Sequence, residues 1–527
     1  MNTDALRKKI LDLAIRGKLV PQDPDDEPAS ALLECIRTEK QQMVKDGKLK
    51  KKDIKNDTVI YVGEDNLHYE KFQDGTVKCI EDEIPFELPE GWEWTRLGSV
   101  FFTVTGSTPS TKDTSLYGID YPFYKPADLD AGYKVFKSES TVSEKGYRSG
   151  RPLPPHSVLV TCIGATIGKT GYIHNAGICN QQINAILPNT DILSDYTYFC
   201  ICSQFEQQQI LINSSATTLP ILNKSKFDNL LFPVPPHEQQ LLIVDKIQGM
   251  LTLVNKIQDN QEFLKDKIIA TKSKILDLAI RGELVPQNPD DEPASVLLER
   301  IRAEKEELIK QGKIKRDKKE SVIFKGDDNS YYLRSESKAI ETTNELPYEI
   351  PDSWEWARIG DVLQVNPRNK IEDLLEVSFI PMPLIDDGFS GKHTSEVRVW
   401  EKVKSGFTPF MEGDIGIAKI TPCFENRKSV VFRNLKNGYG AGTTELHILR
   451  PYASTILPEY ILAYVKSSMF IGKGKQEFTG AVGQQRIGKD YVENSCFPIP
   501  PFAEQTRIVE QIHIAYKQLD LISNALL

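Results

Sequence analysis

From His237 to about Val285 apolar residues return at alternating spacings of four and three. The series is Ile243, Ile247, Met250, Val254, Ile257, Gln261, Leu264, Ile268, Thr271, Ile275 and Leu278, and nine of these eleven are apolar. The positions between them are mostly Asp, Lys, Gln and Asn. Such an alternation is the seam of a helix that packs lengthwise on another helix. Pro235 and Pro236 suit its start, and Gly282 and Pro286 its end. At 1.5 Å per residue the rod is about 65 Å long. An amphipathic helix lying on a globular core is the alternative, and so great a length argues against it.

The chain repeats itself around this rod. Lys9-Ile-Leu-Asp-Leu-Ala-Ile-Arg-Gly-Lys-Leu-Val-Pro-Gln22 returns as Lys274-Ile-Leu-Asp-Leu-Ala-Ile-Arg-Gly-Glu-Leu-Val-Pro-Gln287, an offset of 265 residues. The match continues through Ser30 and Ser295. Phe232-Pro-Val-Pro-Pro236 returns at the same offset as Phe497-Pro-Ile-Pro-Pro501, and a second seam follows it: Ile508, Ile512, Ala515, Leu519, Ile522, Leu526. Joined end to end, Leu527 and Met1 lack only three residues of a full copy of the central rod. The expectation is a circular tandem of two equivalent units. Two helices related by an approximate two-fold axis then run antiparallel with their seams together.

Residues 1–20 read as a short helix with Leu6, Ile10 and Leu13 on its seam, and Ser30 suits the cap of a second helix through about Lys45. A basic cluster at Lys48, Lys50, Lys51 and Lys52 is echoed by Lys313, Lys315, Arg316, Lys318 and Lys319. A solvated loop explains it, and phosphate contact is the sharper option. Residues 56–90 are polar and turn-rich. Trp92 and Trp94, like Trp354 and Trp356, alternate as in a strand and suit the anchoring of a core. From about 95 to 234, and from about 357 to 499, the halves diverge, with short β-like runs among Gly-, Ser- and Asn-rich turns. The division expected is a helical region at 1–50, variable domains at 90–235 and 345–500, a central region with the long helix at 237–318, and a terminal helix at 502–527. A fixed frame holding variable contents suits recognition, whereas a duplicated enzyme would keep its chemistry in both copies.

Composition narrows the class. At 40% hydrophobic and 26% charged residues the chain can bury real cores. No apolar run approaches a membrane span, and Met-Asn-Thr-Asp is no signal peptide. Eight scattered cysteines without a Cys-x-x-Cys read as free thiols in a reducing cytoplasm. A net charge of −9 argues against nucleic acid for the chain as a whole, yet leaves room for a local basic groove.

Gly164-Ala-Thr-Ile-Gly-Lys-Thr170 has three residues where a phosphate-cradling loop needs four, and a turn follows it where a helix should. A glycine-rich hairpin that brings backbone and Lys169 towards a phosphodiester fits better. Pro235-Pro236 and Pro500-Pro501 follow Val and Ile, so the Asn or Asp of an adenine methyltransferase motif is missing. The seven histidines (68, 156, 174, 237, 393, 447, 513) show no metal spacing. No catalytic residue and no metal ligand is assigned. A self-sufficient NTPase or methyltransferase, or a protein scaffold that never touches DNA, are the alternatives.

DNA reading needs Arg, Lys, Asn, Gln, Ser or Thr on loops that admit close approach. The first variable domain offers Thr108, Ser110, Lys112, Lys125, Thr166, Lys169, Gln181 and Gln182. The second offers Arg368, Lys370, Lys419, Thr421, Asn426, Arg427, Lys428, Gln484, Gln485 and Arg486.

These features resemble one family, the specificity subunit of type I restriction–modification systems. The resemblance covers nearly the whole chain. It rests on the Leu-Val-Pro-Gln repeats, the helix starts Pro235 to Gln239 and Pro500 to Gln505, Gly164 to Gly171 with Asn180-Gln-Gln182, and Lys419 to Asn426 with Thr444-Glu-Leu-His447. It implies an α+β fold: two mixed α/β target-recognition domains joined by two long antiparallel helices in a coiled coil. Each domain would read one half of a split, asymmetric DNA site, with the helices as a ruler for the unread gap. The subunit would be non-catalytic and hold no cofactor. Its partners would be double-stranded DNA, two modification subunits carrying S-adenosylmethionine, which flip out an adenine, and through them restriction subunits using ATP and Mg. The helix faces outside the seam and residues 23–45 and 288–310 are the docking candidates.

Overall fold

The longest element is the helix His237–Ile280, 44 residues and about 66 Å from end to end. It belongs to a computed structural model that describes residues 2–215, 220–316, 320–335, 338–452, 455–481 and 483–526. The chain forms two compact units, residues up to Asn260 and from Gln261 onward, and the division falls within this helix. Lys318 and Lys319 of the second basic cluster, and Leu527, lie outside the described residues.

In the first unit the side chain of Asn2 accepts from the Ala5 amide and starts the helix Thr3–Ile15. Its Ile10 and Ala14 share a core with Ile243, Ile247 and Val254 of the long helix, and Met250 packs partly buried beside them. The two helices run antiparallel. Arg7 donates to Asn255 and Gln258, while at the other end Trp92 Nε1 donates both to Gln22 (3.0 Å) and to Gln239 (2.9 Å). Gln22 also donates to the Gly17 carbonyl (2.8 Å). Gly17 turns the chain at φ +62°, where a Cβ would stand 2.3 Å from Pro89 Cγ. This explains the repeated Arg-Gly-x-Leu-Val-Pro-Gln: it is a turn that latches on Trp92.

The turn-rich stretch that follows contains a three-stranded antiparallel meander, Val59–Val62, His68–Lys71 and Val77–Cys79. Strand Glu93–Arg96 then pairs antiparallel with Leu231–Val234, so the chain enters and leaves the variable domain side by side. Trp92 and Trp94 are buried. Within the domain, Thr103–Thr105, Ile183–Ile186, Val158–Thr161 and Thr170–Tyr172 form an antiparallel sheet in that spatial order. Helices Ser194–Ile201 and Gln204–Asn213 follow.

The second unit reuses the plan. Trp354 Nε1 donates to Glu504 (2.9 Å), as does Gln287 (2.6 Å), and Gly282 turns at φ +74° beside Pro351. Strand Glu355–Arg358 pairs with Cys496–Ile499. The sheet order is Leu363–Val365, Leu446–Pro451, Ile415–Ala418, Ser429–Val431, followed by helices Pro458–Val465 and Ser468–Gln476. The terminal helix Phe502–Ala525 lies antiparallel to the end of the long helix: Gln261 donates to the Leu526 carbonyl, Lys272 pairs with Asp520, and the Tyr516 hydroxyl donates to the Lys272 carbonyl. Gln240 and Gln505 are buried at the two helix starts, where each accepts from the backbone amide of Leu193 or Leu457 (2.9 Å).

The seam departs from its expected course in places. Ile243, Ile247, Val254, Ile268 and Ile508 are buried, and Ile257, Ile275, Ile512 and Leu519 are half-buried. Leu264 is 41% and Ile522 50% exposed. A strict 4-3 series drifts by about 20° per heptad on a straight helix. By the end of the long helix the buried face has moved to Leu276, Ala279 and Ile280.

Candidate nucleic-acid interface

Three loops leave one end of the sheet in each variable domain. In the first they are 106–113, 162–169 and 180–182, since Thr105 faces Asn184 and Thr161 faces Ile183 across the ladder. In the second they are 366–370, 419–428 and 443–445, with Val365 facing Leu449 and Ala418 facing Leu446. The equivalent loops carry different side chains.

In the first domain Gly106 lets loop 106–113 seat on its neighbour: Ser107 N donates to Cys179 O (2.8 Å), and a Cβ on Gly106 would lie 2.1 Å from Asn180 O. Thr108 donates to Gln181, and Asn180 donates to Gln182 (2.9 Å). Thr108, Lys125 and Asn180 line one cavity of about 420 Å³ together with the Tyr117 and Phe123 rings. Lys125 is exposed there, with Nζ donating to Ser140 (2.8 Å) and standing 5.4 Å from the Phe123 centroid. Ser110, Lys112 and Thr166 are exposed on the same loops. Lys169 is committed elsewhere. It is half-buried and pairs at 2.6 Å with Asp130.

In the second domain Asn366 Nδ2 meets His447 Nδ1 (3.2 Å), and His447 Nε2 meets Ile487 O (3.2 Å). This chain of contacts ties loop 366–370 to the hairpin that carries Gln484, Gln485 and Arg486. Burial lowers the His447 pKa and favours its neutral form. Arg368 and Lys370 are exposed, with no side-chain partner recorded among the described residues. Thr421 Oγ1 accepts from the Gln485 amide (3.1 Å), and Lys419 lies two residues before it. Arg486 holds both oxygens of Glu445 (2.9 and 2.8 Å) and keeps that carboxyl below its usual range.

Two expected contact residues turn inward. Arg427, at φ +55°, donates to Lys466 O (2.9 Å) and Ser273 and lies 5.0 Å over the Phe389 ring. Lys428 Nζ donates to Met382 O (3.2 Å) and Ile385 O (2.9 Å). Both serve to hold the domain together. Lys169 and Lys428 each precede a sheet strand and reach back to the loop after an earlier strand, so the motif lysine is a clamp in both domains. Asn426, immediately before Arg427, is exposed. Sequence reading missed the carboxylates Asp130 and Glu445, which occupy cations across 39 and 41 residues of chain. Only Glu445 carried a signal, through its place in Thr444-Glu-Leu-His447.

Among the described residues no three His, Cys, Asp or Glu side chains gather as a metal ion would need, and no helix is long and apolar enough to cross a membrane.

Comparison with known proteins bears on this surface. Residues 89–263 match the family model described as the type I restriction modification DNA specificity domain. Over 236 residues, 45% of this chain, the protein is 48% identical to the type I restriction enzyme EcoAI specificity subunit of Escherichia coli and 46% identical to the EcoEI specificity subunit of the same organism. The match spans 37% of the length of each of those relatives. A structure solved for the assembly and conformational transition of a type I R-M system aligns over 84% of this chain and 94% of its own, with a TM-score of 0.51 at 16% identity. That likeness concerns the fold.

Proposed function

We propose that this chain, whose residues 89–263 belong to the type I restriction modification DNA specificity domain family, is the DNA-reading subunit of such a system and is not itself an enzyme. Each variable domain reads one half of a split, asymmetric site in double-stranded DNA, and the long helix sets the unread gap. One observation carries the reading. The same three loops leave the same sheet end in both domains, yet one set presents Thr108, Thr166 and Gln181 and the other Arg368, Lys370 and Asn426. Equal frames with unequal polar tips suit two different base sequences.

Two modification subunits, carrying S-adenosylmethionine, dock on the helices, and ATP- and Mg-dependent restriction subunits join through them. Exposed Leu241, Leu242 and Leu253 in the first unit, and Phe263, Ile269 and Leu521 in the second, support that docking, because large apolar side chains rarely gather on solvated helices. The test is footprinting of the assembled complex with residues 95–234 exchanged for another such domain. One protected half-site should change and the other stay. Movement of both half-sites would refute the reading.

A further inference from the structure

The two units treat one place in their shared plan differently. In the first, the space between the variable domain and the long helix is filled by rings. Tyr133 stacks at 5.0 Å on Tyr172 and 5.3 Å from Phe199, Tyr198 lies against both, and Gln248 of the long helix donates to the Tyr133 hydroxyl (3.0 Å). Ser203 and Ser467 cap equivalent helices, which aligns Tyr198 with Leu462, Phe199 with Ala463 and Cys202 with Lys466. The strands Thr170–Tyr172 and Ser429–Val431 likewise align Tyr172 with Val431. In the second unit four smaller or longer side chains thus replace the plug. What remains is a cavity of about 790 Å³ between the variable domain and the paired helices, within the size range of small-molecule sites.

The charge of its wall is unbalanced. Lys272 takes Asp520 and Arg433 takes Glu459, which accounts for both carboxylates lining the cavity. Among the described residues, Lys392, Lys517 and Lys466 line it with no carboxylate within ion-pair distance. Lys466 is only 3% exposed, and its Nζ donates to two neutral carbonyls, Gly388 O (2.6 Å) and Arg427 O (2.7 Å). Burial, and then the Arg427 cation, push its ammonium down to about 7, with Asp387 and Asp386 opposing from longer range. A buried cation beside an open cavity is costly unless a negative group arrives. Leu276, Leu462 and Ile512 give the cavity an apolar side, Ser390, His513 and Asn524 add polar groups, and Phe389 stands edge-on to Tyr516 at 5.8 Å.

We propose that this cavity is a binding site for a small aromatic anion, with its ring among Phe389, Leu462 and Tyr516 and its charged group towards Lys466, Lys392 and Lys517. The site lies on the inner side of loop 419–428, where Arg427 meets Lys466 and Phe389, and its occupancy would differ between two otherwise equivalent units.

The experiment titrates the full chain with 8-anilinonaphthalene-1-sulfonate and with its uncharged analogue N-phenyl-1-naphthylamine, following fluorescence and stoichiometry. The sulfonate should bind saturably at one site per chain and more tightly than the neutral probe. Lys466→Met should weaken it about tenfold, the weight of one buried charge-assisted contact, and leave the neutral probe unchanged. Ala463→Phe, which restores the ring found in the first unit, should abolish both. The double variant Lys392→Gln/Lys517→Gln alters only exposed side chains and does not put folding at risk; it should also weaken the sulfonate. Equal affinity for the two probes, or sulfonate binding unchanged by the exposed double variant and by Lys466→Met, would overturn the proposal.

Discussion

Lys428→Met against Lys370→Met separates a clamp from a contact. Methionine keeps the aliphatic stem of Lys428 and removes its two hydrogen bonds, to Met382 O and Ile385 O. Hydrogen bonds to a charged group contribute about 1.5–3 kcal/mol; Ile385 O would lose its lysine donor, while Met382 O keeps the Ile385 amide (3.2 Å). Lys428 is half-buried, which tempers the loss to about 2 kcal/mol. For a unit of this size each kcal/mol moves Tm by about 2–4 °C, so the second unit should melt about 4–8 °C lower. Lys370 is exposed, and its substitution should stay within about 0.5 kcal/mol. The DNA readout should run the other way. In the assembled complex, Lys370→Met should reduce the slope of log K against log salt by about 0.9, the share of one phosphate contact, whereas Lys428→Met should leave that slope unchanged. Calorimetry and a salt series of binding isotherms measure both. An unchanged melting temperature together with a shallower salt slope for Lys428→Met would show that the lysine meets DNA, and the clamp assignment would fall.

Three further predictions follow from the same geometry. Asp130→Asn frees Lys169 from its carboxylate, so DNA binding should tighten about two- to fivefold at low salt and the gain should vanish at high salt, as competition binding would show. Burial raises the folded-state pKa of Glu504, so the wild type loses stability as pH climbs from the unfolded value through the folded one; Glu504→Gln, the residue type found at Gln239, should raise the second unit's Tm at pH 8 and not at pH 4. Gly17→Ala sets a Cβ 2.3 Å from Pro89 Cγ at φ +62° and should cost the first unit about 2 kcal/mol or more in denaturant unfolding, while an exposed-loop control such as Gly47→Ala, also at positive φ but with no neighbour within 4 Å, should cost less.

The frame was legible because its residues do one job twice. Gln22 and Gln287 hold the carbonyl of a left-handed glycine, Gln22 meeting Trp92 directly and Gln287 reaching Trp354 through Glu504, and Gln240 and Gln505 bridge a helix start to a neighbouring loop. Such contacts need a fixed residue at a fixed spacing, so the duplication left them readable. The meander at 59–79 was not legible. Its strands are three or four residues long, mostly exposed or half-exposed, and mixed in character (Val59–Val62 is apolar throughout, His68–Lys71 largely polar), so they lack the alternation that marks a sheet with a single buried face. Side-chain direction was the other loss. Asn426, Arg427 and Lys428 look alike as a polar run, but the positive φ at Arg427 turns two of the three inward. The partners Asp130 and Glu445 sit far away in sequence, and folding alone brings them to Lys169 and Arg486.

The paired strands at the base of each variable domain have a consequence for inheritance. Val234 faces Glu93 and Leu231 faces Arg96, so the two ends of the inserted domain stand one strand spacing apart, about 4.8 Å. The pairing of Glu355–Arg358 with Cys496–Ile499 repeats the arrangement. A segment whose ends arrive together, antiparallel, presents the same socket to the frame whatever its length or contents. The Trp latch and the helix start both lie outside that socket. A foreign domain or a longer loop can therefore be fitted by crossing over within a few residues of the ribbon, provided that it keeps the contact that the Leu193 amide makes with Gln240.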